Sequence, residues 1–540
     1  MKKSLLYLSA VTASLGATAQ TRPNIILIVA DDMGYSDLGA YGSEINTPNL
    51  DRLASEGVRF QEFYNNSISA PTRASLITGQ YQHKAGVGYF SNNLGLPAYQ
   101  GYLNQESLTF AEVLQNAGYD TYHSGKWHVS GRENGKLVSE PSDRGFAQSY
   151  QLPRGGIGYF KEDGYATDLI GDNAVNFIAA SEQSNKPFFL YLAFTAPHWP
   201  LHALEEDIAK YRGRYDIGWD TLRLRRFERQ NQLGIVDDSY RLSEKDEDIL
   251  DWSRLSYDQR HLWSKKMEVY AAMVDRLDQN VGRVLQQLEK SGKADNTLII
   301  FLSDNGAPAE DLVKWHGGAI RNTGPVGTAG SNESQGKNWS YASNTPFRAF
   351  KDYLYEGGIN TSFIAWYPKN IKGGRVVRGT GHVIDLAPTF YQVANAKYPK
   401  KYKSVNSNAL PGVSLLPVLY GQTDTVQRST PLCWERAGNR AIRLGNWKLT
   451  SNYPSHTWEL YDLSTDHGES HNVASQHHDI VSRLSTLYFL WAKENGVVEF
   501  SEIEDREPEM MKNYRKSKIQ DVPASWGPFP GGNTGRNRNR

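Results

Sequence analysis

Three stretches constrain the fold of this 540-residue chain more than anything else in it: NIILIVA at 24–30, PFFLYLAF at 187–194 and TLIIFL at 297–302. Each is a nearly unbroken apolar run, rich in β-branched or aromatic side chains, with no polar alternation. A run of that kind has no face suited to water, so each predicts a strand buried on both sides. Between them, residues 48–57, 108–117, 167–181 and 267–290 carry the helical period. The last repeats Met267, Tyr270, Val274, Leu277, Val281, Val284 and Leu288 and is followed by Gly292. Buried strands separated by helices predict an α/β fold with a large, mostly parallel sheet sandwiched by helices. In such sheets the functional crevice lies beyond the carboxyl ends of the strands.

Those ends carry chemistry. The first run stops at Asp31-Asp32-Met33-Gly34. Adjacent carboxylates repel unless a cation or N–H donors compensate, and the tetrapeptide reads equally as a solvated turn or as half a metal site. A strand predicted at 119–124 runs into Gly125-Lys126-Trp127-His128, where an extended tip would point Lys126 and His128 to one side. Alone, this is more simply an exposed loop. The second run leads to Pro197-His198 and the third to Ser303-Asp304-Asn305-Gly306. Ser69-Ala70-Pro71-Thr72-Arg73 opens a further predicted helix, closed by Gly79. Pro71 suits its first turn, where the missing N–H would be unpaired anyway. Ser69 and Arg73 therefore stand at a helix N-terminus, which favours an anion. Taken one at a time, each motif has an adequate structural reading; their convergence on the same edge of one sheet points to a shared site. Asp31, Asp32, Asp304 and Asn305 offer only hard oxygen ligands, which suit Ca²⁺ or Mg²⁺ and not zinc. Arg73, Lys126, His198 and Lys351 add cationic groups for a multiply charged anion. The set reads as a metal and several cations around an oxyanion group in transfer, with histidines to move protons.

Lys plus Arg and Asp plus Glu number 59 each, so no basic excess points to nucleic acid or an acidic membrane. Lys2-Lys3, the apolar stretch 5–15 and Ala17-Thr18-Ala19 read as a signal peptide over residues 1–19. The apolar stretch is too short to span a bilayer, and no cysteine follows the cleavage site to take a lipid anchor. The expectation is a protein delivered by the secretion machinery to the periplasm or beyond, with no membrane anchor. Cys433, the sole cysteine, excludes an intrachain disulfide and reads as a small buried hydrophobe.

The polar, tryptophan-bearing stretch 201–264 reads as an insertion of helices and loops over one face of the sheet. Residues 307–344, rich in Gly, Asn and Ser, read as a long surface loop. A strand is predicted at 362–366 and a helix at 383–394. Beyond residue 425, short strands at 440–444, 447–451 and 459–462 precede an amphipathic helix at 479–495 with Ile480, Leu484, Leu487 and Leu490 on one side. The expected organisation is a catalytic α/β domain over 20–425, a smaller C-terminal α+β subdomain over 426–520 and a disordered tail over 521–540.

These motifs, in this order, resemble the type I, formylglycine-dependent sulfatases of the alkaline phosphatase superfamily, over nearly the whole mature chain. The family signature is Cys or Ser, any residue, Pro, a Ser/Thr/Ala-like residue, Arg and a downstream Thr-Gly. It stands here as Ser69 to Arg73 with Thr78-Gly79. Asp31 to Tyr35, Gly125 to His128, Pro197-His198, Ser303 to Gly306, and Lys351 with Glu356-Gly357-Gly358 match further family motifs. The resemblance implies that Ser69 is oxidised to formylglycine, whose hydrate is the nucleophile and forms a covalent sulfo-enzyme intermediate. A hydrated aldehyde expels sulfate by collapsing to the carbonyl, which an ordinary serine sulfate ester cannot do. It further implies one Ca²⁺ held by Asp31, Asp32, Asp304, Asn305 and residue 69, with Arg73 holding the hydrate. Lys126 and Lys351 would clamp sulfate, His198 would protonate the leaving alcohol and His128 would deprotonate the hydrate.

Three positions depart from the pattern. Serine replaces the commoner cysteine at 69, as in sulfatases of anaerobic bacteria matured by a radical-SAM enzyme; an engineered Cys→Ser inactivation is the alternative. Ile359-Asn360-Thr361-Ser362 stands where the family continues with Arg and Pro, and Trp434-Glu435-Arg436 replaces Trp-Glu-His. The implied substrate is a sulfated saccharide. Competing readings are a phosphate or phosphonate ester hydrolase using the same site, and a glycan binder in which Ser69 stays serine. Specificity is expected in loops at 155–156, 199–202, 219–223, 315–338 and 434–439.

Overall fold

The computed structural model describes residues 22–152, 158–311, 320–509 and 511–513. The signal segment, Gly155-Gly156, Trp315-His316 and the tail from 521 lie outside the described residues. Eight strands form the main sheet: β1 (Asn24–Ala30), β2 (Val58–Tyr64), β3 (Asp120–Gly125), β4 (Gln148–Tyr150), β5 (Phe188–Ala193), β6 (Thr297–Ser303), β7 (Phe363–Trp366) and β8 (Arg375–His382). Their spatial order is β8-β2-β7-β6-β1-β5-β3-β4. All neighbours pair in parallel except β7, which is antiparallel to both β6 and β2.

The three apolar runs are the three central strands, paired in register from Asn24↔Thr297 to Ala30↔Ser303 and from Ile25↔Phe189 to Val29↔Ala193. Their lack of alternation follows from the two cores they feed. Ile26, Ile28 and Ala30 belong to one core, Ile25, Leu27 and Val29 to the other. The principal helices are α1 (Pro48–Glu56), α2 (Ser69–Thr78), α3 (Phe110–Asn116), α4 (Ala166–Ala180), α5 (Gly218–Gln232), α6 (Tyr257–Lys290), α7 (Gly336–Ser343), α8 (Leu386–Val393) and α9 (His478–Asn495). Helices α1, α4 and α6 cover the first core, and α2, α3 and α8 the second.

The structure corrects several expectations. Helix α6 begins ten residues before Met267, started by a capping box between Ser256 and Gln259. Its first turns are polar or exposed, Tyr257 at 79 %, so the apolar period appears only later. The 307–344 segment is not wholly a surface loop, because α7 buries Trp339 completely against Trp219 and Trp252. Its small polar residues serve close packing: Ser340, Ser343 and Asn344 are buried, and the Trp339 indole donates to the Trp263 carbonyl at 2.7 Å. For the same reason 219–223 is no specificity loop: it lies in α5, with Trp219 and Arg223 buried. The strand β8 escaped notice because it is an edge strand with Arg and Gly in its sequence and mixed exposure.

A second, antiparallel sheet follows in the order β9 (Leu432–Arg436), β10 (Asn439–Leu444), β11 (Trp447–Ser451), β12 (Trp458–Asp462). Strand β9 occupies the first half of the loop expected at 434–439, and Cys433 on it is fully buried. Helix α9 packs on this sheet through Leu484, Tyr488, Trp491 and Ala492, while Leu490, expected on that face, is 61 % exposed.

The small sheet is joined to the main one by buried ions. Lys448 on β11 bridges Glu356 at 2.8 Å and Glu469 at 2.7 Å, Tyr64 donates to Glu356 at 2.7 Å, and Arg443 pairs with Glu62 at 2.8 Å. Burial pushes the Glu469 carboxyl up to about 7 even with Lys448 beside it. Replacing Lys448 by Met would leave two buried acids without their cation, an expected cost of about 3–5 kcal/mol at pH 7.5 in denaturant unfolding. Lys448 and Arg443 hold Glu356 below its ordinary value against burial, so without Lys448 both acids would bind protons more readily and the deficit should shrink as pH falls towards 5.

Candidate active site

Every sequence-predicted site residue lies at the carboxyl edge of the main sheet. Asp31 and Asp32 follow β1, Lys126 and His128 follow β3, His198 follows β5, and Asp304 and Asn305 follow β6. Ser69 and Arg73 open α2, one turn apart on the same face. The loop after α7 brings Lys351. Asp32, His128, Ala349 and Asp352 all have left-handed backbone, with φ of 68°, 65°, 65° and 79°. Non-glycine residues held in this region gather at functional sites, where surrounding contacts override the cost. His128 is thus not on an extended tip, and a left-handed turn brings its ring back to Ser69.

Ser69 Oγ donates to Asp304 Oδ2 at 2.7 Å, lies 3.1 Å from the donating Arg73 Nε and 3.2 Å from His128 Nδ1. Arg73 is fully buried. Its Nε and Nη2 reach Asp304 Oδ2 at 2.9 and 2.8 Å, and Nη1 donates to the Lys126 carbonyl and the Tyr191 hydroxyl at 3.1 and 3.2 Å. Lys126 Nζ meets Asp31 Oδ2 at 2.5 Å. Lys351 Nζ lies 2.9 Å from Asp32 and 3.0 Å from Glu310. Asn305 Nδ2 donates to Asp32 Oδ1 at 2.6 Å. His198 places Nε2 3.4 Å from Asp32 Oδ2 and Nδ1 2.6 Å from the Trp199 carbonyl, which accepts if Nδ1 carries hydrogen.

Charges in this buried cluster set one another's ionisation. Burial alone would raise Asp31, but Lys126, His198 and Arg73 outweigh it and hold the carboxyl well below the usual range. Burial and the neighbouring Asp31 carboxylate raise Asp304. Burial, then Lys126 and Arg73, push His128 well below 6.5, so its imidazole is neutral and able to accept a proton. Burial would lower Lys351, yet Asp32 and Glu310 raise it, so it stays charged.

The donor set fits a hard divalent cation. Asp31 Oδ1 and Asn305 Oδ1 are buried oxygens with no hydrogen-bond donor, beside the carboxylates of Asp32 and Asp304. Ligand atoms of Asp31, Asp32 and His198 also lie within 4.8 Å of one another. An imidazole suits zinc better than Ca²⁺, and the predominance of oxygen favours Ca²⁺.

Beside the cluster opens a cavity of about 310 Å³ whose lining includes Lys126, His128, Tyr159, Lys161, His198 and Trp199. Tyr159 donates to the Thr195 and His198 carbonyls at 2.6 and 2.8 Å, bracing the histidine loop. Tyr159 and Glu310 escaped sequence reading because they sit outside the motifs, and Tyr191 because it is hidden in the apolar run 187–194; only the folded chain brings them to the site. The two departures after Lys351 make contacts within the fold. Asn360 accepts from Phe63 N at 3.2 Å and Thr361 Oγ1 from Ser303 N at 3.0 Å, bracing two strand ends. Trp434 donates to the Asn65 carbonyl at 2.8 Å, Glu435 pairs with His83 at 2.6 Å, and Arg436 pairs with Asp352, next to Lys351.

Comparison with known proteins agrees with this geometry. The sulfatase family model matches residues 23–396, and a model described as N-sulphoglucosamine sulphohydrolase, C-terminal, matches 347–488. An uncharacterised sulfatase of Schizosaccharomyces pombe is 35 % identical over 88 % of this chain and 94 % of its own. The arylsulfatase of Klebsiella aerogenes is 34 % identical, over 74 % and 92 %. The N-acetylglucosamine-6-O-sulfatase of Bacteroides thetaiotaomicron is 28 % identical, over 87 % and 86 %. Among solved structures, Ps i-CgsB in complex with k-i-k-neocarrahexaose superposes with a TM-score of 0.66 at 26 % identity, covering 92 % of this chain and 98 % of that one. With its fold, its motifs and these relatives in agreement, the chain belongs to the sulfatase family and is a sulfuric ester hydrolase.

Proposed function

We propose that this chain is an exported, serine-type sulfatase of the alkaline phosphatase superfamily that removes sulfate from sulfated carbohydrates. The observation that carries the reading is the surroundings of Ser69 Oγ, with Asp304, Arg73 and His128 all within 3.2 Å of one buried serine oxygen. Relatives named N-acetylglucosamine-6-O-sulfatase and N-acetylgalactosamine-6-sulfatase, and a structural neighbour in complex with k-i-k-neocarrahexaose, support the carbohydrate assignment. Residues 1–19 act as the signal peptide, 20–425 as the catalytic unit and 426–520 as its C-terminal partner. Maturation falls to a radical-SAM enzyme that accepts serine.

Asp31, Asp32, Asp304, Asn305 and residue 69 would hold one Ca²⁺, which supplies Lewis-acid polarisation of a sulfate oxygen. Conversion of Ser69 to formylglycine supplies a hydrated aldehyde, a nucleophile that can release sulfate by collapsing to the carbonyl. The chain's own side chains do the rest. Arg73, fixed by Asp304, orients residue 69 through Nε. Lys126 and Lys351 bind the sulfate oxygens by charge. His198 gives a proton from Nε2 to the leaving oxygen, its ring held through Nδ1 by the Trp199 carbonyl. Neutral His128, 3.2 Å from residue 69, accepts the proton that leaves with sulfate release. The cavity beside Lys126, His198 and Trp199 receives the alcohol portion.

In protein made alongside a serine-accepting maturase, mass spectrometry of the residue-69 peptide should show the loss of two hydrogens. That material should release sulfate from at least one member of a panel of defined mono- and disaccharide sulfates. Full conversion without turnover of any saccharide or aryl sulfate would overturn the assignment. His198→Ala should slow alkyl or sugar sulfates by about 10²–10⁴-fold and esters of acidic phenols much less, because only poor leaving groups need the proton. Chelation should lower the melting temperature, and Ca²⁺ should restore it; Asp304→Asn should abolish that response.

A further inference from the structure

Among the described residues, Glu310 is the one carboxylate against the proposed sulfate clamp that the metal set does not use. It is 7 % exposed, and both its oxygens are engaged. Oε1 lies 3.0 Å from Lys351 Nζ, while Oε2 accepts the Trp199 indole N–H at 3.1 Å. The Trp199 ring lies 4.4 Å, centre to centre, from His198. Lys351 also meets Asp32 at 2.9 Å, so its single positive charge is divided between two acids. A clamp meant only to bind anions tightly would gain nothing from a second acid.

Resting on the sulfatase reading, we propose that Glu310 is a specificity-determining residue that lowers the charge of the oxyanion clamp and so favours monoanionic sulfate esters over dianionic phosphate esters. Asp31, Asp32, Asp304 and Glu310 stand against Arg73, Lys126 and Lys351. Glu310 makes the surroundings of the clamp one unit less positive than they would be without it. A sulfate monoester carries one negative charge and a phosphate monoester near neutral pH about two, so the phosphate ester loses more from that acid than the sulfate ester does. Without Glu310 the added positive charge would favour the dianion more than the monoanion. The same field discriminates between the two ends of the reaction, because inorganic sulfate leaves as a dianion and is held less tightly than a more positive site would hold it. Removing one buried charge a few ångströms away changes the interaction with each charge on the ligand. The preference between a dianion and a monoanion should therefore shift on the order of tenfold or more.

The test compares wild type with Glu310→Gln, which keeps an oxygen for the indole N–H while losing the charge, and with Glu310→Asp, which keeps the charge. For matched aryl sulfate and aryl phosphate esters, Glu310→Gln should raise the phosphate-to-sulfate ratio of kcat/KM at least tenfold, and Glu310→Asp should keep the wild-type ratio even if both rates fall. Independently of turnover, calorimetric titration of the full chain with serine at 69 and Ca²⁺ supplied should show inorganic sulfate tightening more than methyl sulfate in the Gln variant. Glu310→Met, of similar volume, serves if the Gln variant does not fold. A kcat/KM ratio within twofold of wild type, or equal changes for the two sulfate anions, would overturn the role of Glu310. A matured wild type that cleaves no sulfate ester would instead overturn the sulfatase reading, and the calorimetric comparison would still decide what Glu310 does.

Discussion

The structure depends on the ion pair between Arg73 and Asp304. A fully buried guanidinium at the start of α2 grips a fully buried carboxylate at the end of β6, with Ser69 Oγ between them. Without a cation, gathering Asp31, Asp32 and Asp304 in one dry place would cost more than a domain's whole net stability can absorb. Arg73 therefore does more than orient the serine. It lets three acids occupy the edge of a sheet whose central strands are wholly apolar, and Lys126 and Lys351 complete the compensation from two other segments. Stability and chemistry share the same charges here, so few of these residues can change without touching both.

The fold was readable in the sequence wherever burial is symmetric. NIILIVA, PFFLYLAF and TLIIFL can only be strands covered on both faces, and they set the sheet's centre to within a residue or two. Reading failed where packing depends on small or polar residues. Trp339 lies in a Gly-, Asn- and Ser-rich segment that looks like solvent-facing loop, yet those small side chains let Trp339 and Trp252 each meet Trp219 edge to face, with Trp252 and Trp339 tilted to one another. Strand β8 failed for the opposite reason, since an edge strand shows no continuous apolar signature. In the site, residues inside motifs could be named in advance because strand ends bring them together by topology. Glu310, Tyr159 and Tyr191 could not, because their contribution is a contact with a motif residue, and nothing in a linear sequence encodes which loop will fold back on which lysine.

The small sheet is bound into this arrangement and does not simply hang from it. Arg436 on β9 pairs with Asp352 and lays its guanidinium 4.8 Å from the centre of the Tyr89 ring, and Asp352 follows directly on Lys351. Lys448 on β11 holds Glu356, five residues after Lys351. The turn that delivers this lysine to Asp32 is thus clamped on its far side by two buried cations of the second sheet. This explains why left-handed backbone at Ala349 and Asp352 is sustained, since contacts from both sheets over-determine the loop.

Burial also bears on when Ser69 can be altered. Its side chain sits at the floor of the cluster, the residue 2 % exposed, with its oxygen enclosed by Arg73, Asp304 and His128. No second protein can bring a catalytic centre to that oxygen without dismantling the ion pairs around it. The proposed oxidation of Ser69 would therefore act on the chain before α2 docks against β6. If the first nineteen residues direct export, the reaction belongs before the chain crosses the membrane, while Ser69 to Arg73 is still an extended peptide. Under the proposed maturation the Ser-x-Pro-x-Arg segment would serve twice, first as an unfolded sequence and later as the first turn of a buried helix. Pro71 serves both states, restricting the free peptide and fitting a helical position that needs no N–H.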